Sequence, residues 1–131
     1  MTHDSRPAGQ RSWPEKFRDA FHGLKLGVRG QSSFCVHFFL STLVLVAAAV
    51  MRIDTVAEWG LLILCITVVL GAEMFNSALE SMARAITDEI DPHIGAALDI
   101  GSAAVLVASI GALIVGAIVF VNRLGMLIGW W

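Results

Sequence analysis

Charge is scarce in this sequence. Only 15% of its 131 residues are Asp, Glu, Lys or Arg, 56% are hydrophobic, and the mean hydropathy is +0.74. A soluble domain of this length needs a larger polar share to cover its surface. The shortage excludes an ordinary soluble globule, a disordered chain and a coiled coil. The charges that are present nearly cancel: nine Lys and Arg against eleven Asp and Glu, net −2. That excludes the strongly basic face of a nucleic-acid binder. Cysteine is almost missing. Cys35 and Cys65 lie inside apolar stretches, where a thiol packs as a small hydrophobe, and two cysteines make no disulfide framework. No CxxC or HxxxH pair occurs, so a structural zinc site has no ligand pair to start from. There is no internal repeat, no low-complexity segment and no Walker loop.

What is present is a polar front and an apolar remainder, which reads as an all-α membrane protein with one domain. Residues 1–11 form a polar tail, and residues 12–131 form the domain. A surface helix is expected over 12–30. Ser12 and Glu15 have capping-box spacing and Pro14 sits early, where its missing N–H costs nothing. Trp13, Phe17, Phe21, Leu24 and Val28 recur at steps of three and four, while Lys16, Arg18, Lys25 and Arg29 take other positions. An aromatic stripe opposite a basic-leaning face is how a helix in the membrane interface reads. Three apolar segments follow, at about 34–51, 56–85 and 95–121, each near the roughly 20 residues that span a hydrocarbon core. Arg52, Asp54 and Glu58 mark the first turn between them, and Asp88, Glu89, Asp91 and Pro92 the second. Lys and Arg concentrate ahead of the first span, so the positive-inside rule makes the N-terminus cytoplasmic.

The charges inside the spans carry the functional information, because ionisable groups at membrane depth are costly and rarely idle. Glu73, Asn76, Ser77 and Glu80 lie at steps of three, four and seven, so they share one face of the second span. That face must point into protein or a polar cleft. Glu73 and Glu80 are two turns apart, about 10 Å along the axis, which suits separate roles better than a shared ion. Glu80, the Glu89–Asp91 turn and Asp99 gather at one membrane side, as an acidic group holding Mg²⁺ for a phosphate ligand would. Glu73, deeper in the span, suits a general base acting on a lipid headgroup. A structural polar seam between helices is the alternative at this point. Ala104, Ala108, Ala112 and Gly116, with Ala97 and Gly101, form a small-residue stripe of the kind that lets helices approach closely. It serves packing within one protomer or between copies.

The block Glu73-Met74-Phe75-Asn76-Ser77-Ala78-Leu79-Glu80, followed by Asp99-Ile100-Gly101-Ser102-Ala103-Ala104, resembles the prokaryotic diacylglycerol kinase family, whose Gram-positive branch includes undecaprenol kinases. Phe21-His22-Gly23-Leu24-Lys25 and Phe34-x-x-His37 resemble its surface helix and first span. The resemblance covers about residues 14–120. It implies a homotrimer whose protomers each carry three transmembrane helices and an N-terminal interfacial amphipathic helix. It also implies transfer of the ATP γ-phosphate to a membrane lipid alcohol, diacylglycerol or undecaprenol, with Mg²⁺. By position, Glu73 resembles the catalytic base, Asn76 the polar residue beside it, and Glu80 a metal ligand. Glu89, Asp91 and Asp99 resemble the nucleotide contact region, and Ser102 falls near the lipid site. Three positions depart from the pattern. Gln31 stands where the family has a second metal-binding Glu, Leu98 where it has Lys, and Arg84 where it usually has Asp. An amide can still ligate Mg²⁺, so Gln31 stays in the expected metal set with Glu80. Arg84 is placed to replace the lost lysine charge or to cap its helix. A non-enzymatic member with an eroded site, and an ion-conducting oligomer, are the competing readings.

Overall fold

The computed structural model describes residues 12–28, 32–86 and 91–130, and all of the regular structure among them is helical. Four helices follow one another: α1 (Trp13–Val28), α2 (Ser32–Val50), α3 (Val56–Ile86) and α4 (Pro92–Leu127). The last three are long and apolar enough to cross a membrane, as the fold class expected from the sequence requires.

α1 starts where its sequence signals it. Glu15 reaches back to accept from the Ser12 backbone N–H at 2.8 Å, half of a capping box. The aromatic stripe forms but stays uncovered: Trp13, Phe17 and Phe21 are each more than 60% exposed. In water such a face would be a liability, whereas at a lipid interface it is the binding surface. α1 packs on α3, with Gly27 facing the Met74 side chain.

Few apolar side chains are buried, because lipid leaves little hydrophobic force between helices. Ala48, Ile53, Leu62 and Val119 form a small cluster near the turn after α2, and Val44, Trp59 and Phe120 pack around it. α4 runs along α3, its most extensive partner. Along the small-residue stripe, Gly101 is buried and Ala108, Ala112 and Gly116 are half-buried, while Ala97 and Ala104 face outward.

The turn between α2 and α3 is a tight polar lock. Arg52 takes a left-handed φ of 53°, and the Ile53 N–H bonds the Ala48 carbonyl at 3.0 Å. The Arg123 guanidinium arrives from the far end of α4. Its Nε donates to the Met51 carbonyl at 2.9 Å, and the same group donates to the Arg52 carbonyl and approaches Asp54. Those carbonyls end α2 and have no partner within it. Trp59 Nε1 donates to the Ile53 carbonyl at 3.0 Å. Thr55 and Glu58 cap α3.

α4 extends beyond the expected 95–121 at both ends. It begins at Pro92, with Asp91 as N-cap accepting from the His93 and Ile94 N–H groups, and runs on to Leu127. Proline at the first helical position and a capping Asp before it are strong start signals. They belong to the helix rather than to the turn.

Candidate functional site

α3 sets the depth of the site. Glu73 lies 17 residues along α3 from Val56 and Glu80 lies 24 along it, about 26 and 36 Å at the helical rise. A hydrocarbon core is about 30 Å thick. If α3 enters it at Val56, Glu73 falls inside the far boundary and Glu80 just beyond it. The two carboxylates would then occupy different dielectric surroundings on one face.

Glu73 is 2% exposed. It is buried not by lipid but by the start of α2. The Ser33 hydroxyl donates to Glu73 Oε1, and His37 Nε2 stands 3.8 Å from Oε2. Ser33 and His37 are one turn apart, so both meet the same carboxylate from one face of α2. In the sequence His37 stands out only within the Phe34-x-x-His37 resemblance, and Ser33 does not stand out. The four-residue spacing of two polar residues at the mouth of an apolar span was the available signal.

Asn76 and Ser77, also expected on this face, are buried at 7% and 6% exposure. Asn76 Nδ2 donates to Glu80 Oε1 at 2.9 Å. The other end of its amide is pressed against α4: a Cβ built on Gly101 would stand 2.6 Å from Asn76 Oδ1. Only a glycine admits that approach. It leaves Oδ1 buried without a hydrogen-bonding partner, as is Ser77 Oγ. Such atoms are uncommon in native interiors and call for a reason. The Gly101 Cα supplies Oδ1 with a weak C–H contact at most.

The Glu80 side chain is one-third exposed, and Arg84 Nη1 lies 3.8 Å from its Oε2. Arg84 is itself 69% exposed along its side chain, so this pairing is weak and screened. Glu73 and Glu80 thus meet different side chains in these contacts.

Asp99 and Ser102 are placed otherwise. They lie three residues apart on α4 and both are exposed. Gly101, between them, faces Asn76, and this turns Asp99 away from Glu80 within the protomer. The Ser102 hydroxyl donates to the Leu98 carbonyl one turn earlier at 3.1 Å. Asp91 uses Oδ1 to cap α4. Gln31 and Glu89 lie outside the described residues. Among the described residues no three His, Cys, Asp or Glu side chains gather as a metal site. The partly exposed Glu80 carboxylate is the donor that remains on this face of α3; Mg²⁺ takes one or two carboxylates and fills the rest of its shell with phosphate oxygens and water.

Beside His37 an apolar groove of about 410 Å³ runs along α3 between α2 and α4, from Val69 to Leu62.

The comparisons with known proteins agree with this picture. A family model described as prokaryotic diacylglycerol kinase matches residues 18–120. A diacylglycerol kinase from Synechocystis sp. (strain ATCC 27184 / PCC 6803 / Kazusa) is 32% identical over 101 residues, covering 76% of this chain and 57% of that protein. The chain thus spans a little over half the length of that relative.

Proposed function

The chain belongs to the prokaryotic diacylglycerol kinase family, and on that premise we propose that it transfers the γ-phosphate of ATP to the hydroxyl of a membrane lipid, with diacylglycerol favoured over undecaprenol. The observation that carries this reading is the buried Glu73 carboxylate, one turn from Asn76 and two from the partly exposed Glu80, inside the matched region.

In this reading Glu73 takes the proton of the acceptor hydroxyl as the new oxygen–phosphorus bond forms and the bond to ADP breaks. Burial excludes water, which would otherwise compete for the phosphoryl group. Asn76 fixes the Glu80 carboxylate through its 2.9 Å bond. Glu80 would hold Mg²⁺, with Gln31 as the second expected ligand, and the bound metal would neutralise charge on the phosphates. Asp91, with Glu89, would contact the nucleotide at the start of α4. Asp99 and Ser102 face outward, which supports their serving a cleft completed by a neighbouring subunit of a homotrimer. The Lys- and Arg-rich N-terminal part supports a cytoplasmic N-terminus in the bacterial inner membrane, on the side that supplies ATP.

The test offers labelled ATP and Mg²⁺ to the purified protein in mixed micelles, with diacylglycerol and undecaprenol supplied separately. Transfer to a lipid that is lost in Glu73→Gln, in a protein of unchanged oligomeric size, supports the reading and names the acceptor. Full activity of Glu73→Gln refutes the assigned base. One observation favours a non-enzymatic alternative: Arg84 occupies part of the Glu80 surroundings that a metal would use. Absence of Mg-ATP binding at millimolar nucleotide would favour that alternative.

A further inference from the structure

Glu73 cannot be a base for more than one turnover unless the proton it takes can leave. With 2% of its surface exposed, it has almost no water of its own. Two side chains from α2 meet its oxygens. Ser33 donates its hydroxyl to Oε1, and a hydroxyl does not hold a second proton at ordinary pH, so it stores no charge between turnovers. His37 stands at Oε2, with 20% of its side chain exposed, and it also lines the groove between α2 and α4. Imidazole has two nitrogens on opposite sides of the ring and changes charge in the physiological range. It can accept at one nitrogen and release at the other.

We infer that His37 is a positioning residue for Glu73 and the exit for its proton. The inference rests on Glu73 being the general base. The step is a transfer in two parts. The O–H bond of the protonated Glu73 breaks as an N–H bond forms at His37 Nε2, leaving the carboxylate ionised and the ring cationic. The Nδ1 proton then passes to water or buffer and the ring returns to neutral as the Nε2–H tautomer; exchange of the ring protons with solvent restores the Nδ1–H tautomer, whose Nε2 can accept again. Nε2 lies 3.8 Å from Oε2, long for a hydrogen bond, but such contacts tighten in substrate complexes. Between proton transfers the nearby imidazolium offsets the cost of an ionised carboxylate at this depth. Among the described residues the charged or titratable neighbours are few. Glu73 faces the ring from α3, Cys65 of α3 lines the groove beside it, and α4 contributes the uncharged Ser109.

The test is turnover of the full chain in mixed micelles across about pH 5 to 9, which brackets imidazole titration. His37→Gln keeps a polar side chain that cannot titrate. It is expected to lower kcat by about 10- to 100-fold, in the range of lost proton-transfer assistance, with the KM for ATP within about twofold. The rise of kcat across the imidazole range should vanish with it. In His37→Ala, added imidazole should restore part of the lost kcat, a response that a purely structural role would not give. Wild-type kcat and pH profile in His37→Gln overturn the inference, as does His37→Ala that imidazole leaves unchanged. A Glu73→Gln arm separates the two levels. If Glu73→Gln is inactive and His37→Gln is normal, His37 alone has been misassigned. If Glu73→Gln is fully active, the base itself is wrong.

Discussion

A single methyl group at Gly101 tests whether the α3–α4 contact governs the site. In Gly101→Ala the new carbon would stand 2.6 Å from Asn76 Oδ1 and 3.0 Å from Leu79 Cδ1. Carbon–oxygen contacts settle at about 3.3–3.6 Å, so Asn76 must retreat by roughly 0.8 Å. Leu79 can rotate, but Asn76 is short, buried and tied through Nδ2 to Glu80. Its retreat breaks or tilts the 2.9 Å bond that holds Glu80 in place. Overpacking of this kind costs about 1–3 kcal/mol. A displacement near 1 Å at a site that positions reactants costs up to about 100-fold in rate. We therefore expect Gly101→Ala to lower both the thermal midpoint in detergent and the rate of phosphate transfer to lipid. The double variant Gly101→Ala/Asn76→Ala removes the clash. It should recover stability relative to Gly101→Ala while remaining slow, because Glu80 then lacks its amide donor. The coupling measured by this cycle should be favourable. Gly101→Ala with a wild-type midpoint and a wild-type rate would refute the reasoning, and so would a double variant whose stability losses simply add.

The remaining predictions concern the two ends of the bundle. Arg123→Met leaves the Met51 and Arg52 carbonyls without their donor and should cost about 1–3 kcal/mol, read by thermal unfolding in detergent. Asp54→Asn should cost less than about 1 kcal/mol, since Asp54 is 73% exposed along its side chain. Equal losses would mean that the ion pair, not the carbonyl bonds, holds the turn. Glu80→Gln should raise the Mg²⁺ concentration needed for half-maximal activity by about 10-fold or more, in line with loss of one charged oxygen ligand. An unchanged Mg²⁺ titration would remove Glu80 from the metal set.

Local pattern was enough for much of this protein. Composition required a lipid environment. The apolar runs located the spans, because span length is a property of the bilayer and can be counted along the chain. The 3.6-residue period placed Glu73, Asn76, Ser77 and Glu80 on one face of α3, and lipid's rejection of polar groups required that face to be covered. α4 runs past the apolar segment at both ends, and its start is hard to read from sequence because a cap and a turn draw on the same residues. Here Asp91 and Pro92 belong to the helix. Only the tertiary structure decided what covers the polar face. Ser33 lies 40 residues from Glu73 in sequence and Arg123 lies 72 from Met51, and no periodicity links them. Such contacts depend on the rotation and register of one helix against another. At Asn76 that register rests on a glycine whose missing side chain lets α4 close onto α3. The same rotation turns Asp99 and Ser102 outward, although the sequence places them at the same end of the bundle as Glu80. Period along a helix comes from backbone geometry alone, whereas the angle at which two helices meet is set by the side chains of both.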